Sequence, residues 1–125
     1  MHINDVTGQV VDAAIQVHSV LGPGLLESAY QVCLAHELGN RGLAVRREVF
    51  VPVRYDGIEL DGGYRIDLLV EDRVVVETKT VTKFVDVHEA QLLSQLRLGA
   101  YPVGLMINFN VARLKDGIVR KVNHL

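Results

Sequence analysis

Asp67, Glu77 and Lys79 are ionisable residues set among apolar ones, in "YRIDLLV" (64–70) and "VVVETKT" (74–80). Three valines announce a buried strand, yet Glu77 and Lys79 follow on alternate positions, so both charges fall on one face of it. Taking charge out of water is costly unless the group is paired or holds a metal. Only Glu71-Asp72 separates "YRIDLLV" from "RVVVETKT" (73–80), which reads as a hairpin. With the hairpin symmetric about Asp72, Asp67 lies opposite Glu77 and Arg65 opposite Lys79, and opposed residues share a face. One patch of sheet is then expected to present Arg65, Asp67, Glu77 and Lys79, with Ile66, Leu68 and Val76 pointing the other way. A one-residue slip would separate the two acids.

Opposed carboxylates repel unless a cation or a proton sits between them. Such oxygen ligands suit Mg²⁺ or Mn²⁺, which need only one or two carboxylates besides water and a substrate phosphate. A neighbouring lysine can orient or deprotonate an attacking water and stabilise charge developing on phosphorus. Residue types and spacing thus fit metal-assisted phosphodiester hydrolysis. The plainer alternative is a solvated face in which Asp67 pairs with Lys79 and Arg65 with Glu77.

The elements that must position these residues are legible from periodicity. Residues from about Asn4 to Leu21 have helical spacing, with Val10, Val11, Ala14, Ile15, Val17, His18 and Leu21 as the apolar stripe. "GPG" at Gly22 to Gly24 stops that helix. A second is expected from about Leu25 to Leu38, with Gly39 as its stop. From Val45 to Tyr55 the period is two, placing Val45, Val49, Val51, Val53 and Tyr55 on one face and Arg46, Glu48 and Arg54 on the wet one. "DGIELDGGY" reads as turn-rich, with room for one short strand. After the hairpin, "DVHEAQLLSQLRLG" is a helix that Asp86 can cap, with Glu89 completing a capping box and Gly99 closing it. "YPVGLMINF" is another strand, and "GIVRKVN" a last short one. Strands gathered before a helix and a returning strand indicate an α/β fold, a mixed sheet flanked by helices.

The 125 residues suit one domain, 1–125, with no repeat or linker. The longest apolar runs fall far short of the ~20 residues that span a bilayer, so no membrane partner is expected. "MHINDVTGQV" has acids and amides where a signal peptide has basic residues. Cys33 is the single cysteine, which excludes an intrachain disulfide and cysteine-pair zinc motifs. A reduced, cytoplasmic setting follows. Net charge is −2, but residues 1–96 hold 8 Lys+Arg against 14 Asp+Glu while residues 97–125 hold 5 against 1. The basic C-terminal portion is where phosphate contacts would gather; the solvated-surface reading is equally open.

Asp67 followed by Glu77-Thr78-Lys79 in a hairpin and then a helix resembles the core of the PD-(D/E)XK nuclease superfamily. Gly24-Leu25-Leu26-Glu27-Ser28-Ala29-Tyr30 resembles the signature G-x-x-E-x-x-Y of a small bacterial family within it, the GxxExxY proteins, as do "HEAQLL" (88–93) and "GLMINF" (104–109). The resemblance covers nearly the whole chain. It implies a restriction-endonuclease-like αβββαβ core and a Mg²⁺- or Mn²⁺-dependent nuclease. Asp67 and Glu77 would ligate the metal with the backbone carbonyl of Thr78, and Lys79 would be the catalytic lysine. Glu27 would be the acidic residue of the first core helix, binding metal directly or through water, and Gln91 the helix glutamine that steadies the site. Two positions depart from the pattern: Ile66 stands in place of proline, and Gln95 in place of an aromatic residue.

DNA is the expected substrate, with RNA not excluded, and Arg65, Lys83 and Arg97 are the expected nucleic-acid contacts. Small size and the apolar first two helices point to a homodimer. Tyr30 reads as a core aromatic with a tethered hydroxyl, His18 and His88 as structural histidines, and Cys33 as core. A nuclease-like fold retained as a binding module, or as a subunit of a repair or defence complex, is the other function these residues allow.

Overall fold

Asp56 and Gly57 are a two-residue turn with both φ angles positive, 47° and 79°, the backbone that joins antiparallel strands most tightly. It links β1 (Val45–Tyr55) directly to β2 (Ile58–Val70). The expected loose, turn-rich connection is therefore one long strand, since Asp-Gly alone suffices to reverse the chain. The computed structural model describes residues 1–124, with positions 61 and 62 described by their backbone alone.

A second tight turn at Glu71 and Asp72 (φ 53° and 55°) leads into β3 (Val74–Lys79). The pairs Leu68–Val76, Leu69–Val75 and Val70–Val74 centre the hairpin on Asp72, as the spacing predicts. β3 then pairs in parallel with β4 (Val103–Asn108), and β5 (Ile118–Val122) closes the sheet antiparallel to β4. The five strands lie in chain order, a mixed sheet. Helix α1 (Ile3–Leu21) and helix α2 (Glu27–Asn40) cover one face, where Val10, Ala14, Leu34, Leu68, Val76 and Ile107 meet. Helix α3 (Asp86–Gly99) covers the other, on Ile66, Leu69, Val75 and Met106. Gly104 lets α3 settle close to β4: a Cβ there would lie 2.8 Å from a Leu92 methyl.

Several local expectations are corrected. Helix α2 begins at Glu27 rather than Leu25 and runs through Gly39 to Asn40. The delay has a cause. The Tyr30 hydroxyl accepts the Leu25 amide hydrogen at 3.1 Å and donates to the Gly22 carbonyl at 2.5 Å, holding that loop outside the helix. Ile15 belongs to the exposed side of α1. At α3 the cap is His88, whose Nδ1 accepts the Val85 amide hydrogen at 3.1 Å. Glu89 instead pairs with Lys121 at 2.5 Å, and Ala100 takes the left-handed turn after Gly99 (φ 56°).

The largest correction concerns faces. Val45 and Leu68 pack with the α1–α2 core, whereas Val49 and Ile66 pack with the α3 core. Neither strand keeps one face, so Ile66 does not share the side of Leu68 and Val76. The switch falls at Glu48, whose φ of 59° is left-handed, and at Asp67 across from it. Among the described residues no helix is long and apolar enough to cross a membrane.

Candidate active site

Asp67 lies where two ladders are interrupted at once. The β1–β2 ladder pairs Arg47 with Leu68 and Val49 with Ile66, passing over Glu48 and Asp67. The β2–β3 ladder ends at Leu68–Val76, one step short of Asp67 and Glu77. Backbone groups released in this way must find other partners when buried, and side chains supply them. Glu77 accepts the Asp67 N–H at 3.1 Å. Asp67 Oδ2 accepts both the backbone N–H of Thr78 at 3.0 Å and its hydroxyl at 3.1 Å. Gln31, one turn after Glu27 on α2, donates to the Asp67 carbonyl at 3.0 Å.

The two acids expected to oppose each other are therefore together, in the expected register. Glu77 is only 7 % exposed. Burial, and then the Asp67 charge, push its carboxyl up to about 8. Burial also raises Asp67, against the lowering effect of the two Thr78 hydrogen bonds and of Lys79. Burial and the neighbouring Asp67 charge thus favour a protonated Glu77.

Lys79 follows on the same strand. Its carbonyl accepts the Phe109 N–H at 2.9 Å, and buried Asn108, its neighbour on β4, clamps the chain just beyond. The Asn108 side chain accepts the Val81 N–H at 3.1 Å and donates to the Val81 carbonyl at 2.8 Å. Glu27, at the surface, reaches the same place. Burial raises its carboxyl, while the charge of Lys79 and a hydrogen bond from the Thr80 backbone lower it and Asp67 raises it. Four ionisable groups, Glu27, Asp67, Glu77 and Lys79, thus converge from α2, β2 and β3.

The plain salt-bridge alternative is not what forms. Among the described residues no ion pair joins Asp67 to Lys79 or Arg65 to Glu77; Arg65 pairs with Glu48 at 3.0 Å and lies over the Phe50 ring at 5.3 Å. A cleft of about 210 Å³ opens between this strand end and α3, lined by Tyr64, Arg65, Glu77, Lys79, His88, Gln91, Leu92, Gln95 and Met106. Gln91 is thus on the wall facing Glu77. Lys83, before α3, and Arg97, in its last turn, are exposed and lie outside that lining.

Tyr30 and the histidines take the structural roles expected of them. Tyr30 stacks on Phe109 at 4.5 Å, and His18 Nε2 hydrogen-bonds the Val111 carbonyl at 2.8 Å. Cys33 is only partly buried at the edge of the α1–α2 core. Sequence reasoning missed Gln31 and Asn108, and singled out Gln95 only as a departure from the family pattern. A buried amide and a solvated one look alike in a sequence, although the four-residue step from Glu27 to Gln31 was available as a signal.

Whether these residues suit a cation rests on their donor set. Among the described residues no group of three or more His, Cys, Asp or Glu side chains is arranged as a ready cage. Mg²⁺ and Mn²⁺ do not require one: one or two carboxylates, waters and substrate oxygens suffice. The Asp67–Glu77 pair, which now needs a proton to relieve its repulsion, fits that demand.

The chain matches the profile of the PD-(D/E)XK nuclease superfamily over residues 4–121. No curated protein and no solved structure gives a significant match.

Proposed function

This chain belongs to the PD-(D/E)XK nuclease superfamily, and from that premise we propose that it is a metal-dependent nuclease hydrolysing phosphodiester bonds of DNA, within the GxxExxY group. The observation that carries the reading is the buried Glu77 carboxyl held against Asp67, with Glu77 and Lys79 lining one cleft. We further propose one nuclease-like domain spanning residues 1–125.

In this reading Asp67, Glu77 and the Thr78 carbonyl hold Mg²⁺ or Mn²⁺, with Glu27 joining directly or through water. A cation held there supplies Lewis-acid stabilisation of charge on the phosphate. Lys79 orients the attacking water and stabilises the same charge from the protein side. Gln91 steadies the water and substrate from the opposite wall. Thr78 and Gln31 keep Asp67 in place, and Asn108 fixes the chain beyond Lys79. Arg65, Lys83, Arg97 and the basic C-terminal segment contact the phosphates.

A binding module with little chemistry is the second reading. It draws support from Arg65, the other cation of the cleft, being engaged by Glu48. Incubating plasmid and linear DNA with the protein in Mg²⁺ or Mn²⁺ separates the two. Cleavage that Asp67→Asn abolishes supports the nuclease; DNA binding with no cleavage in either metal supports the module.

Val20, Leu25, Leu26 and Val32 leave an exposed apolar surface around α1 and α2, which supports a homodimer. A monomer mass by light scattering contradicts it. We also expect a cytoplasmic location, where Cys33 stays reduced and DNA is at hand.

A further inference from the structure

A second cleft, of about 300 Å³, opens between β1 and the end of α3, with Phe50, Pro52, Arg54, Gly99 and Tyr101 in its walls. It adjoins the cleft of Glu77 and Lys79. Tyr64 and Arg65 line that first cleft, and their cross-strand partners Val51 and Phe50 line the second. On α3, His88, Gln91 and Gln95 wall the first and Leu98 the second, at steps of three and four residues that keep them on one helical face. Gln95 and Gly99 are one turn apart, about 6 Å along the axis. The two clefts thus follow one another between α3 and the β1–β2 pair. Gly99 is required for the shape of the second, since a Cβ there would strike the Tyr101 ring.

Its lining suits an anionic chain that carries flat rings. Among the described residues it has no Asp or Glu, and Arg54 supplies a cation. The only ion pair of Arg54 there is with Glu59 at 3.7 Å, both side chains being largely exposed. Such a surface pair contributes little, so Arg54 can turn to a phosphate. Phe50 keeps half its surface in solvent, and the Arg65 guanidinium lies 5.3 Å from its ring centroid. Exposed aromatic rings beside arginines are how proteins hold the bases of single strands. We propose that this second cleft stacks an unpaired nucleobase next to the phosphate held at Asp67, Glu77 and Lys79, with Phe50 as the stacking ring, so that the substrate is single-stranded or locally unpaired DNA. The inference rests on the nuclease reading above. In a duplex each base is stacked on its neighbours and shows only its edges in the grooves. An aromatic ring meets a base face only where the strand is unpaired.

The test compares the parent with Phe50→Leu and Phe50→Trp. Binding is read by fluorescence anisotropy with Ca²⁺ in place of Mg²⁺, on three DNA probes of equal length: a single strand, the same strand carrying abasic residues, and a duplex. The parent should bind the intact single strand about tenfold tighter than the abasic one, and tighter than the duplex. Phe50→Leu should lose that preference and Phe50→Trp should keep it. Both variants should melt close to the parent, because residue 50 is exposed, and should bind Mn²⁺ as the parent does. The proposal is overturned if Phe50→Leu binds every probe as the parent does. It is equally overturned if Phe50→Leu weakens all three probes alike, since Phe50 then serves only to hold Arg65. A parent that prefers the duplex, or binds abasic and intact strands equally, overturns it and leaves the nuclease reading standing. A parent that binds none of the probes sinks the nucleic-acid reading itself, and this inference with it.

Discussion

The Glu77 carboxylate accepts the backbone N–H of Asp67 at 3.1 Å, across the point where the β2–β3 ladder stops. In a continued ladder backbone groups would occupy that gap. Here side chains close it, and the two acids are thereby fixed side by side rather than left on a flexible face. Their repulsion is held by the strands around them, and a proton on Glu77, whose carboxyl burial and the Asp67 charge raise, relieves it.

That proton makes stability depend on pH in an unusual direction. Glu77 is raised from 4.5 to about 8, so between those values the folded protein binds a proton that the unfolded chain has lost. Stability is then full below about pH 4.5 and falls as pH rises towards 8, opposite to an ion-paired carboxylate. Melting temperatures in a chelator from pH 5 to 8.5 should show the fall. Glu77→Gln should flatten it, leaving the smaller slope due to Asp67 and Glu27, and should melt above the parent at pH 8. A parent curve that rises through this range contradicts the proton on Glu77.

Lys79→Ala separates chemistry from metal binding. Both carboxylates remain, and loss of a nearby cation should leave metal affinity equal or higher. Cleavage should fall by roughly two or more orders of magnitude, the usual scale for a positioned charge-stabilising group. Cleavage within a few-fold of the parent would remove Lys79 from the mechanism.

Gln31→Met tests the support behind Asp67. Losing the bond to the Asp67 carbonyl should cost about 1–2 kcal/mol of stability. It should also weaken metal affinity or cleavage by about tenfold, as outer-shell changes commonly do. Lower melting with unchanged metal affinity and cleavage would assign Gln31 to the core alone.

Legibility of the chain followed the range of each signal. The Asp72-centred register and the convergence of Asp67, Glu77 and Lys79 could be read because short hairpins and period two are local. The helix order and mixed sheet followed from spacing in the same way. The reversal of faces at Glu48 could not, because a left-handed φ at a glutamate is imposed by packing on both sides of the sheet. Asp56-Gly57 was a readable signal, hidden by the glycines and acids around it. Helix α3 starts one residue earlier than expected, with Val85 at the N-cap, so Asp86 lies in the first turn and the His88 imidazole accepts the Val85 N–H. Gln31 and Asn108 stayed hidden for a different reason: their roles depend on partners 36 and 27 residues away.

The central proposal, that Asp67 and Glu77 hold a cation in exchange for the proton that burial favours on Glu77, is tested most directly by calorimetric titration of Mn²⁺ at pH 7 in two buffers of different ionisation enthalpy. Displacing the Glu77 proton should make the heat depend on the buffer, with about one proton released per ion bound. Asp67→Asn should lose both the binding and the release. No binding up to millimolar Mn²⁺, with or without DNA, or equal binding by Asp67→Asn, would contradict the account.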